Sequence, residues 1–518
     1  MEEHLLNEFE EFGLTPNKRV LEKCIELLKK YEITPDTLVN HWIGYAATKL
    51  NDEAPSLENM ILFEKDLSKE LSAKTKVKSE PLSTSSKFST RNNAGEVVVK
   101  YPADDAVINW TRSNETWEPD IQLHGTAETK LTTKYNYMFS RLRDKFDVLE
   151  EQINDLGDLV KRKLGIDDFD PNSVLKSETF HTIGRICCDA TSGSRLNTSS
   201  LLLEGTRNTS SGQSVPLDVS QLREFSFFPG QVVAVEGSNP TGKKMVVTSV
   251  TTPPINPVLK TDVSIEGRGP LNVMVACGPF TLPDDLEFAP LVEFIQQVNA
   301  LLPHLVIIMG PFVDVKNKKV ECGDLDYTYQ EQFDIVMKEL QSKITNSVQV
   351  CIIPSWRDVH YRTVYPTPPF PQENKAPNFN FFSDPCVLNV NGIFIALTST
   401  DILFHLSKEE IAVTPHGSDR LGRLVSHLFS QQSFYPLNPP SEEMSIDLEQ
   451  AEDHCKLSFT PHLLFVPSDL RHFIKNVSGC VVVNMERAVK GFCGGTYSRL
   501  QITGEGSSVQ IKAEIVRL

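Results

Sequence analysis

Asp358-Val359-His360 has the residue types and spacing of a metal-binding pair. It follows residues 348–353, an apolar run of the kind that forms a buried strand. An Asp-x-His at a strand end can supply two ligands to a dinuclear centre that hydrolyses phosphoesters. Such a centre holds its ions about 3.5–4 Å apart and needs carboxylates and imidazoles from several strand ends. The neighbouring ends do not offer them. The run 271–276 leads into Cys277-Gly278-Pro279-Phe280, and 305–309 leads into Gly310-Pro311-Phe312. Asp314 stands alone a few residues further on. Isolated Asp and His residues in such loops ordinarily serve as caps or satisfied structural groups. The sequence therefore predicts no catalytic residue, no metal ligand and no cofactor-binding residue.

Gly237-Ser238-Asn239-Pro240-Thr241-Gly242-Lys243-Lys244 comes close to a phosphate-binding loop but has Lys244 where a Ser or Thr would hold Mg²⁺. It lies between two strand-like runs, whereas phosphate cradling uses the N-terminus of a following helix. A β-turn is the expected structure. Gly491-Phe492-Cys493-Gly494-Gly495 precedes a strand and reads as a tight turn. His405, His416, His427, His454, His462 and His472 form no helical ligand pair, and no G-x-S-x-G elbow occurs. The ten cysteines form no C-x-x-C pair, which disfavours a zinc ribbon, and several fall in apolar runs that suit buried thiols.

The elements that must position these residues fall into segments. Residues 1–72 read as a small helical domain of about four helices. Thr15-Pro16 and Thr34-Pro35 each place a capping hydroxyl before a proline suited to the first helical position. Its apolar face serves as its own core or as a docking surface for partners. Residues 73–128 begin with polar stretches such as Lys78-Ser79-Glu80-Pro81 and are expected to form a linker. Val97-Val98-Val99, Trp110 and Trp117 within it suit a segment lying along another domain. Ser83 to Ser86 and Thr90 are candidate phosphorylation sites.

A long helix is expected over 129–165, because Tyr135, Phe139, Leu142, Phe146, Leu149, Ile153, Leu156 and Val160 recur in steps of four and three. The seam fits a coiled-coil partner or this protein's own body, and Gly157 interrupts it. Residues 170–262 carry short strand-like runs at 182–188, 200–203, 231–236 and 245–250, which suit a small barrel such as an OB-fold. Residues 263–518 alternate strands and helices and include Asn391-Gly392, a strong hairpin signal. A layered sheet flanked by helices follows.

The formal net charge of −17 implies average repulsion from a phosphate backbone, so contact with DNA is expected to be mainly indirect. The acidic start, Met1-Glu2-Glu3-His4, lacks the basic region of a secretory signal, and no apolar run reaches the ~18 residues of a membrane span.

Four runs occur in order: Phe225-Ser226-Phe227-Phe228-Pro229-Gly230, the Val306-to-Asp314 run ending Gly310-Pro311-Phe312-Val313-Asp314, Pro354-Ser355-Trp356-Arg357-Asp358, and Tyr365-Pro366-Thr367-Pro368-Pro369. Together they resemble the B-subunit family of DNA polymerase alpha–primase. The resemblance implies a multidomain α+β protein: an N-terminal helical domain, an OB-fold barrel and an inactive calcineurin-like α/β phosphoesterase domain. Active relatives of that domain carry Gly-Asp where this chain has Gly310-Pro311. They carry Gly-Asn-His-Asp where it has Ser355-Trp356-Arg357-Asp358. The family's late Asn-Pro-Gly-Arg is Asn484-Met485-Glu486-Arg487 here, a departure that bears on the local turn. The resemblance further implies a nuclear accessory subunit that binds the C-terminal domain of the catalytic subunit and links it to primase. Other replication factors would bind through the N-terminal domain. The alternative is an active metal-dependent phosphoesterase or nuclease using Asp314, Asp358 and His360.

Overall fold

The computed structural model describes residues 2–31, 33–50, 54–75, 88, 91–103, 108, 117–189, 195–263, 265, 269–371, 375–506 and 508–518. The Lys78-to-Pro81 stretch, the Ser83-to-Ser86 and Thr90 candidates, and Trp110 lie outside the described residues.

Among the described residues the chain opens with helices α1 (Glu2–Glu11), α2 (Lys18–Tyr31), α3 (Pro35–Lys49) and α4 (Leu57–Thr75). Leu5, Phe9, Val20, Leu27, Leu38, Trp42 and Phe63 build a core from these helices alone. α3 begins at Pro35, where the missing N–H is one the first turn would leave unpaired anyway. In its middle His41, Trp42, Ile43 and Gly44 are all buried. Successive helical residues point roughly 100° apart, so this run spans the full circumference of the helix. The bundle covers one side of α3, and the rest of the protein covers the other.

The stretch expected to form a linker over 73–128 lies along another domain in its later part, at Val97-Val98-Val99 and Trp117. It contains β1 (Val97–Tyr101) and β2 (Ile121–Leu123), each an edge strand of a large sheet. Their partners lie hundreds of residues downstream, at Ala513–Val516 for β1 and Leu388–Val390 for β2.

The helix expected over 129–165 starts later, as α5 (Leu142–Leu164). Residues before it are held out of helical geometry by distant partners. Tyr135 donates its hydroxyl to the Pro366 carbonyl, Ser140 donates to Glu449 at 2.6 Å, and Met138 adopts a φ of 68°. The helix then opens with the Asp144 carboxylate accepting from the Arg141 N–H at 3.0 Å. Ile153, Leu156 and Val160 pack on Ile183, Val232 and Ala234 of the barrel described next. Gly157, the apparent break in the seam, is the point of close approach. A Cβ there would lie 3.1 Å from the Ile183 side chain.

Strands β3 (Lys176–Cys188), β4 (Leu201–Glu204), β5 (Ser214–Asp218), β7 (Val232–Asn239) and β8 (Met245–Thr251) close a barrel in the order β3-β4-β5-β8-β7. Phe180, Ile186, Leu203, Val235 and Val247 fill it. β6 (Phe225–Phe227) leaves the barrel and pairs with β15 (Ile411–Val413) of the C-terminal unit. Beside this joint Glu410 accepts from Arg423 at 2.7 Å and from Ser226, and lies 3.1 Å from His427.

The C-terminal unit is a sandwich of two sheets. The larger runs β1, β22 (Ser508–Arg517), β21 (Thr496–Glu505), β9 (Leu271–Cys277), β10 (Leu305–Met309), β11 (Gln349–Ile353), β12 (Phe379–Phe381). The smaller runs β17 (Phe473–Val477), β18 (Cys480–Asn484), β16 (Leu463–Phe465), β14 (Ile393–Leu397), β13 (Cys386–Val390), β2. Asn391 and Gly392 take φ values of 53° and 89° and turn β13 into β14, the left-handed pair a tight hairpin needs. Val273, Ile307, Leu388, Ile395 and Val483 belong to the apolar layer between the sheets. α6 (Ala289–Leu301) and α7 (Tyr329–Lys343) cover the outer face of the larger sheet. α8 (Ile402–Glu409) and α9 (Arg420–Ser430) cover that of the smaller, and α10 (Leu448–His454) packs near α5.

Candidate functional site

β9, β10 and β11 run parallel, as do β14, β16 and β18 in the other sheet. Parallel strands deliver their following loops to one edge, where an α/β protein ordinarily binds its ligand. The Asp358 carboxylate is fully buried there. It accepts from the backbone N–H groups of Phe312 at 2.5 Å, Val313 at 3.1 Å and Ser355 at 2.9 Å. Burial pushes its pKa up to about 7, against the pull of those donors. The carboxylate thus ties the loop after β10 to the loop after β11, and its acceptor capacity is used by the backbone.

His360 does not join it. The imidazole stacks on Phe333 with centroids 3.9 Å apart and also packs beside Phe370. Both ring nitrogens are buried without a hydrogen-bond partner, and burial lowers the pKa to about 3. The ring is a neutral member of an aromatic cluster. Asp314 is engaged as well, receiving Arg357 Nε at 3.0 Å and Nη2 at 2.5 Å.

The arginines occupy the centre. Arg487, from the turn after β18, donates through Nη1 to the Cys277 sulfur at 3.0 Å and to the Ser399 carbonyl at 3.1 Å. Its Nε lies 3.4 Å from Asp469 and its Nη2 3.8 Å from Asp401. Burial pushes the Arg487 guanidinium down, but Cys277, Asp469 and Asp401 together hold it above its ordinary range. Burial also pushes Arg357 down, Asp314 more than restores it, and repulsion from Arg487 opposes that restoration. Two neighbouring guanidinium groups thus supply the positive charge that balances the carboxylates of this edge. A cavity of about 480 Å³ lies over them, walled by Asp314, Arg357 and Arg487 below and by Asp36 and Asn40 of α3 above.

These residues do not fit a dinuclear metal centre. The carboxylates nearest the strand ends already hold backbone N–H groups or arginines, the His360 imidazole is stacked on Phe333, and His405 bonds Tyr435 and Glu443. Among the described residues no group of three or more His, Cys, Asp or Glu side chains is placed to hold a metal ion.

The other candidates are structural. Gly237 and Asn239 lie in β7, and Lys244 pairs with Asp218 at 3.1 Å at the turn into β8. No helix follows that turn, so no helix N-terminus faces a phosphate there. His405 bonds Tyr435, His454 bonds the Thr129 carbonyl, His462 accepts from the Phe394 N–H, and His472 lies 3.3 Å from Glu486. His416 is exposed. Gly491 turns β19 (Val489–Lys490) into β20 (Cys493–Gly494) with a φ of 57°. In the Asn484-Met485-Glu486-Arg487 turn, the Asn484 side chain accepts from the Ser468 and Glu486 N–H groups, both at 2.9 Å. That network aims Arg487 inward. That Arg357 lies beside Arg487 was not legible in the sequence, since the two meet only when the two sheets are stacked.

Three family models match along the chain. The model for the N-terminal region of the DNA polymerase alpha B subunit matches residues 3–69, over the helical bundle. The model for the OB domain of the DNA polymerase alpha B subunit matches 146–252, over α5 and the barrel. The model for the DNA polymerase alpha/epsilon B subunit matches 273–475, within the sandwich. A Rattus norvegicus protein, named as the B subunit of DNA polymerase alpha, is 37% identical over 448 residues, covering 84% of this chain and 74% of the relative. A Schizosaccharomyces pombe protein of the same name is 32% identical, covering 74% and 73%. A Drosophila melanogaster protein of that name is 28% identical, covering 97% and 96%. With these matches spanning bundle, barrel and sandwich alike, the chain belongs to the DNA polymerase alpha B-subunit family.

Proposed function

We propose that this accessory subunit of DNA polymerase alpha is a non-catalytic scaffold of the polymerase alpha–primase assembly. The OB domain and the sandwich, read as an inactive phosphoesterase-like domain, grip the C-terminal domain of the catalytic subunit and connect it to primase. The N-terminal bundle recruits further replication factors. The protein works in the nucleus and reaches DNA mainly through its partners, as its net charge of −17 favours. Ser83 to Ser86 and Thr90 are its candidate phosphorylation sites.

The observation that carries this reading is that the candidate ligands are otherwise engaged: Asp314 holds Arg357, Asp358 holds three backbone N–H groups, and His360 stacks on Phe333. Co-expression with the catalytic subunit tests it. The expected result is a stable complex through the catalytic subunit's C-terminal domain. A chain that stays monomeric beside that partner would sink the scaffold. The competing reading, an active metal-dependent phosphoesterase, requires stoichiometric bound manganese, iron or zinc and phosphodiester cleavage that disappears in Asp358→Ala.

A further inference from the structure

We propose that the outer face of α3 is the partner-binding surface of the N-terminal bundle, and that the chain's own β19–β20 hairpin occupies it until an outside segment of like chemistry takes its place. The inference deepens the reading of the bundle as a recruiting element and rests on it.

The covered face is specific. The Phe492 ring lies 5.2 Å from the His41 ring. Gly491 approaches so closely that a Cβ would lie 2.7 Å from the Asn40 carbonyl, and a Cβ on Gly44 would lie 3.1 Å from the Cys493 sulfur. Beside the hairpin Lys318 pairs with Asp36 at 2.6 Å and reaches the Thr37 hydroxyl at 3.3 Å. The face therefore selects an aromatic side chain flanked by glycine, with a cation alongside. Burial around the whole circumference of α3 explains why its apolar residues are not confined to one stripe.

The joint is built to open. The apolar core of the bundle draws on α1–α4 alone and none of it continues into the sandwich. The Lys318–Asp36 pair is partly exposed, so salt weakens it. On the body side the chain is fastened again at Phe88, which packs on Leu282 and Val489, and at Arg91, which donates to the Leu518 carbonyl at 2.9 Å. Bundle and body belong to one chain, so their docking is an intramolecular event. Weak contacts then suffice for docking, and a partner of moderate affinity displaces them. Release also opens the cavity over Arg357 and Arg487.

The test uses the full chain, with hydrogen exchange along α3 and binding of a fluorescent peptide copying residues 487–496. Lys318→Asp places a carboxylate against Asp36 and leaves the α3 face intact. It should speed exchange at residues 41–44 by about tenfold or more and strengthen peptide binding several-fold. The double variant Asp36→Lys with Lys318→Asp restores the pair in reverse and should return exchange toward the wild-type rate, which also shows that both variants fold. Equal exchange in wild type and Lys318→Asp would overturn the docking. Faster exchange without stronger peptide binding would overturn the partner surface. Co-purification of the wild-type chain with the catalytic subunit, measured in parallel, reports on the scaffold reading separately, because it does not depend on the Lys318 variant.

Discussion

Arg487 donates to the Cys277 sulfur at 3.0 Å, joining the turn after β18 of the smaller sheet to the end of β9 in the larger. Around that contact a buried cation neutralises Asp401 and Asp469. Replacing Arg487 with Met leaves those carboxylates facing each other without it. Breaking a buried pair by removing one partner costs about 3–5 kcal/mol. Urea denaturation of Arg487→Met should show a loss of that order, and Arg487→Lys a smaller one.

His360→Phe should be neutral or stabilising. Both imidazole nitrogens are buried without partners, and an unsatisfied buried polar group costs roughly 1–3 kcal/mol. Phenylalanine keeps the stack on Phe333 and removes that penalty. A thermal melt decides it. A large drop in stability, or loss of bound metal, would contradict the structural role.

Acid should loosen the joint between barrel and sandwich. Burial pushes the Glu410 carboxyl up, but His427, Arg423 and Ser226 pull it further down, to about 2 from its ordinary 4.5. A carboxyl whose folded pKa is depressed stabilises the fold above its unfolded value and loses that contribution as pH falls toward the folded one. The window is therefore pH 4.5 down to about 2, and the size is on the order of 3 kcal/mol. Stability measured across that window should fall less steeply in Glu410→Gln, which lacks the titrating group.

Gly157→Val should separate α5 from the barrel. Even a Cβ would lie 3.1 Å from the Ile183 side chain, and valine adds two further methyl groups. Overpacking of this kind costs about 1–3 kcal/mol. Chemical denaturation should register it, and a variant as stable as wild type would mean that the helix is free to shift.

Much of the molecule was legible in the sequence where local chemistry dictates structure. The apolar runs became β9, β10 and β11, Asn391-Gly392 became a hairpin turn, and the near-miss phosphate loop became a strand and a turn. Elements defined by distant partners were not legible. Val97-Val98-Val99 showed that β1 lies along another domain but not which strand it joins, and β2 gave no signal, because nothing near either in sequence pairs with them. The helical repeat through Tyr135 and Phe139 is genuine, but the Tyr135 hydroxyl is taken by the Pro366 carbonyl. At the strand ends, Asp358 and His360 are two residues apart and still face different surroundings. One binds backbone amides and the other enters an aromatic stack. Arg487 stood in a motif that marked only a departure from the family, and its place beside Arg357 depends on which loops the two sheets bring together.

β1 and β2, from the stretch between bundle and barrel, finish the margins of both sheets. A chain trimmed to begin at residue 129 would leave Ser508–Arg517 and Cys386–Val390 each with a bare row of N–H and C=O groups. Such rows invite strands from neighbouring molecules. β1 and β2 move each open edge onto a strand of five or three residues, a short edge that offers a neighbouring molecule little to pair with.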